Sequence, residues 1–242
     1  LAPLTPFAIK GALWYQGESG DGPKDYRALL DALVGDWRKR WNTPELALLV
    51  VQIPAQKPFF RETQLQFWQA TPQTGLAVIN DTCTADEKVH VRYKETAGRR
   101  LSLLARAIVY GEKIEYSGPV YKSVKFHGPK AVVSFTHLGD GLGAKAPVDP
   151  KKTVLTEADL GGDLSAKGGE LKGFTIAGED RNFVPAKAEI VADTVVVSSE
   201  QVAQPVAVRY LWCEWPELWT DTTLYNKNGL PAPPFRTDSW TR

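Results

Sequence analysis

The 242-residue chain contains no methionine, two cysteines (Cys83 and Cys213) and three histidines (His90, His127 and His137). Two cysteines cannot complete a zinc cluster by themselves. A chain of this length buries enough surface to fold without disulfide staples or a structural metal. It also lacks a charge bias: 29 Lys+Arg against 28 Asp+Glu leave a net charge of +1. That balance offers no basic surface for nucleic acid and no acidic solvating tail. No long hydrophobic run is present, and the longest, Leu46 to Val51, falls far short of the about 20 residues that span a bilayer. Neither nucleic acid nor a membrane is therefore expected as a partner. Hydrophobic residues make up 43% and charged ones 24%, which excludes broad disorder. Because the chain starts at Leu1 rather than Met, it is expected to be the C-terminal piece of a longer protein.

The first half reads as alternating strands and helices. Residues 7–15 (FAIKGALWY) form an apolar strand pattern, followed by a polar, glycine-containing loop from Gln16 to Pro23. Tyr26, Leu29, Leu30, Leu33, Val34, Trp37 and Trp41 then make one stripe at helical period. Leu46 to Ile53 is a continuous apolar run, the mark of a strand buried on both faces. Arg61 to Thr71 reads as a helix, Gly75 to Asn80 as a strand and Lys94 to Tyr110 as a second clear helix. This succession predicts a parallel α/β layout.

After Gly111 the pattern changes to period two, in Lys130–His137, Gly173–Gly178, Thr194–Ser198 and Pro205–Trp212. Glycine-rich turns separate these runs, and no long helical stripe recurs. The second half is expected to be an antiparallel β-sandwich. The expected domains are residues 1–112 and 113–242. The segment from Gly139 to Glu170 is expected to be a long loop. Gly139–Gly143 (GDGLG) only superficially resembles a phosphate-binding loop, because no helix follows it.

Ligands in α/β sheets sit at the carboxyl ends of the parallel strands. The loops after Tyr15 and Asn80 bring Gln16, Glu18 and Ser19 to one such end, and Asp86, Glu87 and His90 to another. Gln16 can donate side-chain N–H groups to a developing oxyanion, with Glu18 orienting it; the bland alternative is a turn with polar caps. His90 is either a surface loop histidine or a general base whose ring Asp86 or Glu87 would orient. A bridge between Cys83 and Cys213 has no support in the sequence. Trp14, Trp37, Trp41 and Trp68 fall in core patterns. Trp215 and Trp219 are the better candidates for a sugar surface.

Five stretches, AIKGALWYQGES (8–19), QLQFWQATPQTGLAVIND (64–81), VHVRYKETAGRRLSLLARAIVYG (89–111), IEYSGPVYKS (114–123) and LYNKNGLPAPPFRTD (224–238), make the chain resemble the sialate O-acetylesterase-like family of SGNH hydrolases. That group also holds many bacterial carbohydrate acetylesterases. The resemblance implies a three-layer SGNH α/β core followed by a β domain. It implies a serine esterase that needs no cofactor and no metal, acting on an acetylated carbohydrate, and located in the periplasm or outside the cell. In its terms Gln16 is the oxyanion donor, Glu18 its support and His90 the catalytic histidine. The chain departs from the family at three positions: Gly20 stands where asparagine is usual, Lys88 where the triad aspartate is usual and Val91 where proline is usual. Asp86 is the nearest replacement for the acid. The family's GQSN-type serine block has no counterpart in the chain. Ser19 lies inside the oxyanion block, outside any G-x-S-x-G elbow, so the nucleophilic serine is expected on an N-terminal segment or companion chain.

Two functions follow as expectations. The first is O-deacetylation of sialic acid, xylan or another acetylated glycan. The second is a decayed SGNH relic that binds carbohydrate or serves as a scaffold, with Lys88 as the mark of decay.

Overall fold

The structure, a computed structural model, describes residues 1–17, 25–54, 57–87, 90–161, 164, 170–214 and 217–240. Strand β1 (Gly11–Trp14), β2 (Ala47–Gln52) and β3 (Thr74–Val78) form a parallel sheet in the order β1-β2-β3. The crossovers are helix α1 (Tyr26–Arg40) and helix α2 (Pro58–Ala70). Every residue of β2 and β3 is buried, as the apolar run at 46–53, interrupted only by Gln52, predicts for β2. On one face Leu48, Val50, Leu76 and Val78 pack against Leu30, Val34 and Phe67 of the two crossover helices. On the other, Leu49, Val51 and Ala77 pack against Ala97, Leu101 and Leu104 of α3 (Lys94–Leu104). Helix, sheet and helix thus make three layers.

Helix α3 is shorter than its apolar stripe. At Ala105 the chain passes into a π turn, Ala105–Val109, which carries Ile108 and Val109 back onto the sheet. In α1 the stripe is also narrower than its sequence: Tyr26, Leu30 and Val34 are buried, while Leu29 is 54% exposed.

The remaining residues form two four-stranded antiparallel sheets. One has the order β4 (Val120–His127), β5 (Lys130–Thr136), β10 (Thr194–Ser198), β9 (Lys187–Val191). The other runs β13 (Phe235–Arg236), β11 (Ala207–Tyr210), β7 (Phe174–Ala177), β8 (Val184–Pro185). Their inward residues, among them Val133, Val195, Ile176, Val208 and Phe235, share one core. A two-stranded ladder joins β6 (Leu142–Ala144) to β12 (Leu224–Asn226), and a single helical turn, α4, covers Glu217–Thr220. The expected loop at 139–170 therefore contains a strand: GDGLG is a turn leading into β6. Within the same segment Thr156 and Asp159 close a reciprocal capping box on a short 3-10 turn. Among the described residues no helix is long and apolar enough to cross a membrane.

Three buried links fasten the parallel sheet and its helices to the β sheets. Arg61 of α2 donates to the carbonyl oxygens of Leu211 (3.4 Å) and Cys213. Arg236 clasps Glu62 with two parallel bonds of 2.8 and 2.9 Å. Tyr225 donates its hydroxyl to Asp81 at 2.8 Å. Close backbone approach adds to these: a Cβ on Gly118 would lie 2.0 Å from the Pro231 carbonyl oxygen, so only glycine fits there.

Candidate active site

The carboxyl ends of β1, β2 and β3 lie on one edge of the sheet, because the strands are parallel and in register. After β1 the chain continues through Tyr15, Gln16 and Gly17. Gly17 has φ +137°, and a Cβ there would stand 2.7 Å from the Phe60 ring. The turn therefore needs glycine twice, for its backbone angle and for its contact with α2. Phe60 in turn lies 4.4 Å, centroid to centroid, from Tyr26.

Gln16 is exposed, and its Oε1 accepts a hydrogen bond from the Tyr26 hydroxyl at 3.2 Å. The same hydroxyl accepts from Trp14 Nε1 at 3.3 Å. With Oε1 occupied, the Nε2 group is the end of Gln16 able to donate to a ligand oxygen. Glu18 and Ser19 lie outside the described residues, as do Lys88 and Trp215.

After β3 the chain makes a 3-10 turn, Asn80–Thr82. Asp81 is fully buried and receives both guanidinium nitrogens of Arg100, at 2.6 and 2.7 Å, besides Tyr225. Burial alone would raise its pKa, but Arg100, Lys145 and the Tyr225 hydroxyl outweigh it and hold the carboxyl below its usual value. Beside it both side-chain polar atoms of Asn80 are buried without a hydrogen-bond partner, and so is Oε1 of Gln52 at the end of β2. All three residues of this turn, Asn80, Asp81 and Thr82, are completely buried.

His90 is described and exposed. Its expected carboxylate partners are engaged elsewhere. Asp86 is bonded by Thr84 Oγ1 (2.7 Å) and by Arg92 Nη2 (2.9 and 3.0 Å), and the Thr84 bond and Arg92 hold it below the usual carboxylate range. Glu87 takes the Arg92 backbone N–H at 2.8 Å and its Nε at 2.5 Å. Among the described residues no hydrogen bond reaches the His90 ring. Two residues later than His90, Arg92 is thus the organiser of this loop. Its importance was not signalled by sequence, because nothing in the spacing tells which charge a nearby carboxylate will choose.

The two loops meet through Lys94, the first residue of α3. Its Nζ donates to the Tyr15 hydroxyl at 2.8 Å and stands 4.0 Å from the centre of the Tyr15 ring. The block carrying Gln16 is thereby joined to the segment carrying His90.

One side-chain reading needs correction, and the two cysteines stand as expected. Trp219 is not a sugar platform: it is fully buried with Cys83, Val91, Val148 and Leu155. Cys83 and Cys213 are free thiols. Burial pushes Cys213 up to about 12 and Cys83 higher still, and both stand near the buried Arg61, whose own pKa burial lowers to about 10. Neither is a thiolate nucleophile at neutral pH.

Comparison with known proteins bears on the family and the fold. Residues 2–106 match the family described as carbohydrate esterase, sialic acid-specific acetylesterase. The chain is 26% identical over 264 aligned residues to the sialate O-acetylesterases of Pongo abelii and Homo sapiens, and 25% identical over 266 to that of Mus musculus. In each case 96% of this chain is covered, against 46%, 46% and 45% of the relative, so the chain spans about half the length of the curated relatives it matches. The crystal structure of a carbohydrate acetylesterase from Xanthomonas citri superimposes with a TM-score of 0.81 at 37% identity, covering 98% of this chain and 52% of that one. Residues 2–106 accordingly resemble the sialic acid-specific acetylesterase domain of the carbohydrate esterases, and the chain has the mixed α/β fold of a bacterial carbohydrate acetylesterase.

Proposed function

We propose that this chain is the larger part of the catalytic apparatus of a carbohydrate O-acetylesterase, of the SGNH type and acting in the periplasm or outside the cell, whose serine nucleophile is supplied by an N-terminal segment or companion chain. Residues 1–112 contribute to the catalytic domain and 113–242 form the β-sandwich domain. The observation that carries the reading is the Tyr15–Lys94 contact, because it joins the oxyanion candidate Gln16 to the segment of the base candidate His90 at the ligand-binding edge of a parallel sheet.

The chemistry follows from those roles. His90 takes the proton of the incoming serine hydroxyl as its oxygen attacks the acetyl carbonyl. Gln16 Nε2 donates to the oxyanion that forms. Collapse expels the sugar hydroxyl, which receives the proton from His90, and water then releases acetate from the acyl-serine by the same path. Glu18 supports the oxyanion loop. No metal or organic cofactor is needed for any of these steps.

The edge of the sheet supports a second segment. Among the described residues β1 pairs only with β2, and Leu13, at its centre, is 61% exposed although β2 and β3 are wholly buried. An apolar strand with an open edge is a template for pairing with another strand. The test is hydrolysis of p-nitrophenyl acetate by the 242-residue chain with and without the upstream segment. Activity only in the joined form supports the proposal, and full activity of the isolated chain refutes it.

The relic reading draws on the engagement of Asp86 and Glu87 by Arg92, which leaves His90 without a carboxylate. It predicts glycan binding without hydrolysis even when the upstream segment is present.

A further inference from the structure

One cavity lies in the β sheets, and none of the residues lining it belongs to the loops of Gln16 or His90. It measures about 870 Å³ and is floored by Phe174, Leu171 and Ala188, a volume within the range of roughly 300–1,000 Å³ usual for small-ligand sites. Its rim is polar, and here the charges do not cancel. Lys172 pairs with Glu170 and Lys187 with Glu189, each at 2.9 Å. Glu217 and Asp221 remain on the same wall without a cation pairing with them among the described residues. Burial raises the pKa of the half-buried Asp221.

Trp212 stands at one end of this cavity. A second one, of about 250 Å³, is lined by Pro58, Phe59, Arg209, Trp212, Cys213 and Glu214, so Trp212 and Cys213 border both; the guanidinium of Arg209 is already paired with Asp238. The indole is held from several sides. Phe59 meets it edge-on at 5.3 Å, and the guanidinium groups of Arg236 and Arg209 lie 5.1 and 5.6 Å from its ring centre. Both arginines are fixed in turn, Arg236 by Glu62 and Arg209 by Asp238. A half-buried ring with its orientation set in advance loses little freedom when a ligand stacks on it.

The second cavity is walled in part by the first residues of α2. Pro58 and Phe59 open α2, just after the carboxyl end of β2. The next residue, Phe60, is the one on which Gly17 of the oxyanion loop rests. One helical turn therefore touches Trp212 with one ring and the Gln16–Gly17 turn with the next.

We infer that the two cavities joined at Trp212 form an extended glycan subsite that takes a neutral oligosaccharide and presents its acetylated unit to the strand-end site. The inference rests on the proposed esterase reading and names its substrate class. Neutral sugars are favoured because Glu217 and Asp221 accept hydrogen bonds from hydroxyl groups but repel a carboxylate. A sugar acid such as a sialic acid is disfavoured in this subsite.

The test uses the full-length polypeptide that contains these 242 residues. Xylohexaose, cellohexaose, mannohexaose and N-acetylneuraminic acid are titrated by calorimetry. At least one neutral hexasaccharide is expected to bind with Kd of about 1 mM or tighter, and more tightly than N-acetylneuraminic acid. Trp212→Ala is expected to weaken that binding at least about tenfold. Because Trp212 also packs against Phe59, a second variant, Ala186→Trp, fills the larger cavity from its wall and is expected to weaken binding equally. Both variants are expected to lose preference for the chemically acetylated form of the bound hexasaccharide over p-nitrophenyl acetate. Binding of no neutral hexasaccharide, tighter binding of N-acetylneuraminic acid, or unaltered binding in Ala186→Trp overturns the inference. Oligosaccharide binding by a protein that does not hydrolyse p-nitrophenyl acetate overturns the esterase reading and leaves the binding subsite standing.

Discussion

Lys94 reaches across from the first turn of α3 to bond the Tyr15 hydroxyl at 2.8 Å, so the residue after strand β1 and the residue that opens the last helix of the parallel layer are in direct contact. Neither has a part in the proton transfers proposed for Gln16 and His90. Both set where those two stand. Lys94→Met removes the contact while keeping the length of the stem. In the full-length enzyme it is expected to lower kcat for p-nitrophenyl acetate several-fold, leave KM nearly unchanged and leave the melting temperature within a few degrees. An equal loss in a Tyr15→Phe variant, with no further loss in the double variant, would be the sign that the pair acts as one unit.

Direct substitutions separate the candidate catalytic residues. His90→Ala is expected to reduce turnover by orders of magnitude, and Gln16→Ala by about 10²–10³-fold if it alone supplies a donor to the oxyanion. Asp86→Asn is expected to change turnover little, since Asp86 is held by Thr84 and Arg92. A collapse of activity in Asp86→Asn comparable to His90→Ala would restore Asp86 as the acid. Ser19→Ala is expected to cost far less than His90→Ala.

Much of the parallel layer was legible because burial on both faces leaves an unmistakable trace. Leu46–Ile53 has no polar residue to offer except Gln52, and it became a wholly buried central strand. The α1 stripe was legible for the same reason, although Leu29, which belongs to it, is exposed. The antiparallel strands were less so. Strand β4, VYKSVKFH, carries lysines on an exposed outer face, and β12 and β13 are too short to show a period. What the sequence could not disclose was long-range pairing: Asp81 looks like one more loop carboxylate until Arg100 and Tyr225 close on it. Trp219 misled because the stretch CEWPELW carries no period in the sequence, whereas its burial is decided by Val91, Val148 and Leu155 from distant segments.

The buried Asp81 network makes a stability claim. Removing one partner of a buried ion pair costs about 3–5 kcal/mol, so Asp81→Asn is expected to destabilise the protein by about that much at pH 7 in a urea titration. The pH dependence has a definite sign. The folded-state pKa of Asp81 is depressed, so its contribution is present above the unfolded value of 3.8 and is lost as pH falls through the lower folded value. The wild type should therefore lose stability below about pH 4 more steeply than Asp81→Asn. Parallel slopes for the two proteins would show that Asp81 does not titrate with unfolding.

Trp219→Phe offers a simple discrimination between packing and recognition. The indole is fully buried, and shrinking it leaves a cavity. We expect a loss of about 1–3 kcal/mol in stability and no change in hexasaccharide affinity for the protein that remains folded. A weakened affinity at unchanged stability would return Trp219 to the sugar surface.

The last prediction concerns the open edge of β1. Leu13 is 61% exposed on a strand whose one neighbour among the described residues, β2, is entirely buried. A charged side chain at position 13 meets water in the 242-residue chain, where it has little packing to disturb, and surface changes of this kind usually stay within about 0.5 kcal/mol. The same charge beneath a docked segment would be buried without a partner, which costs several kcal/mol. Leu13→Asp is therefore expected to leave the melting temperature of the isolated chain nearly unchanged and to improve its solubility, since it blunts an apolar strand edge. In the full-length protein the same substitution is expected to destabilise markedly and to abolish p-nitrophenyl acetate hydrolysis, because the segment that brings the serine can no longer seat against β1. Equal behaviour of the two lengths would mean that β1 faces water in the whole protein, and that the nucleophile, if there is one, reaches His90 by another route.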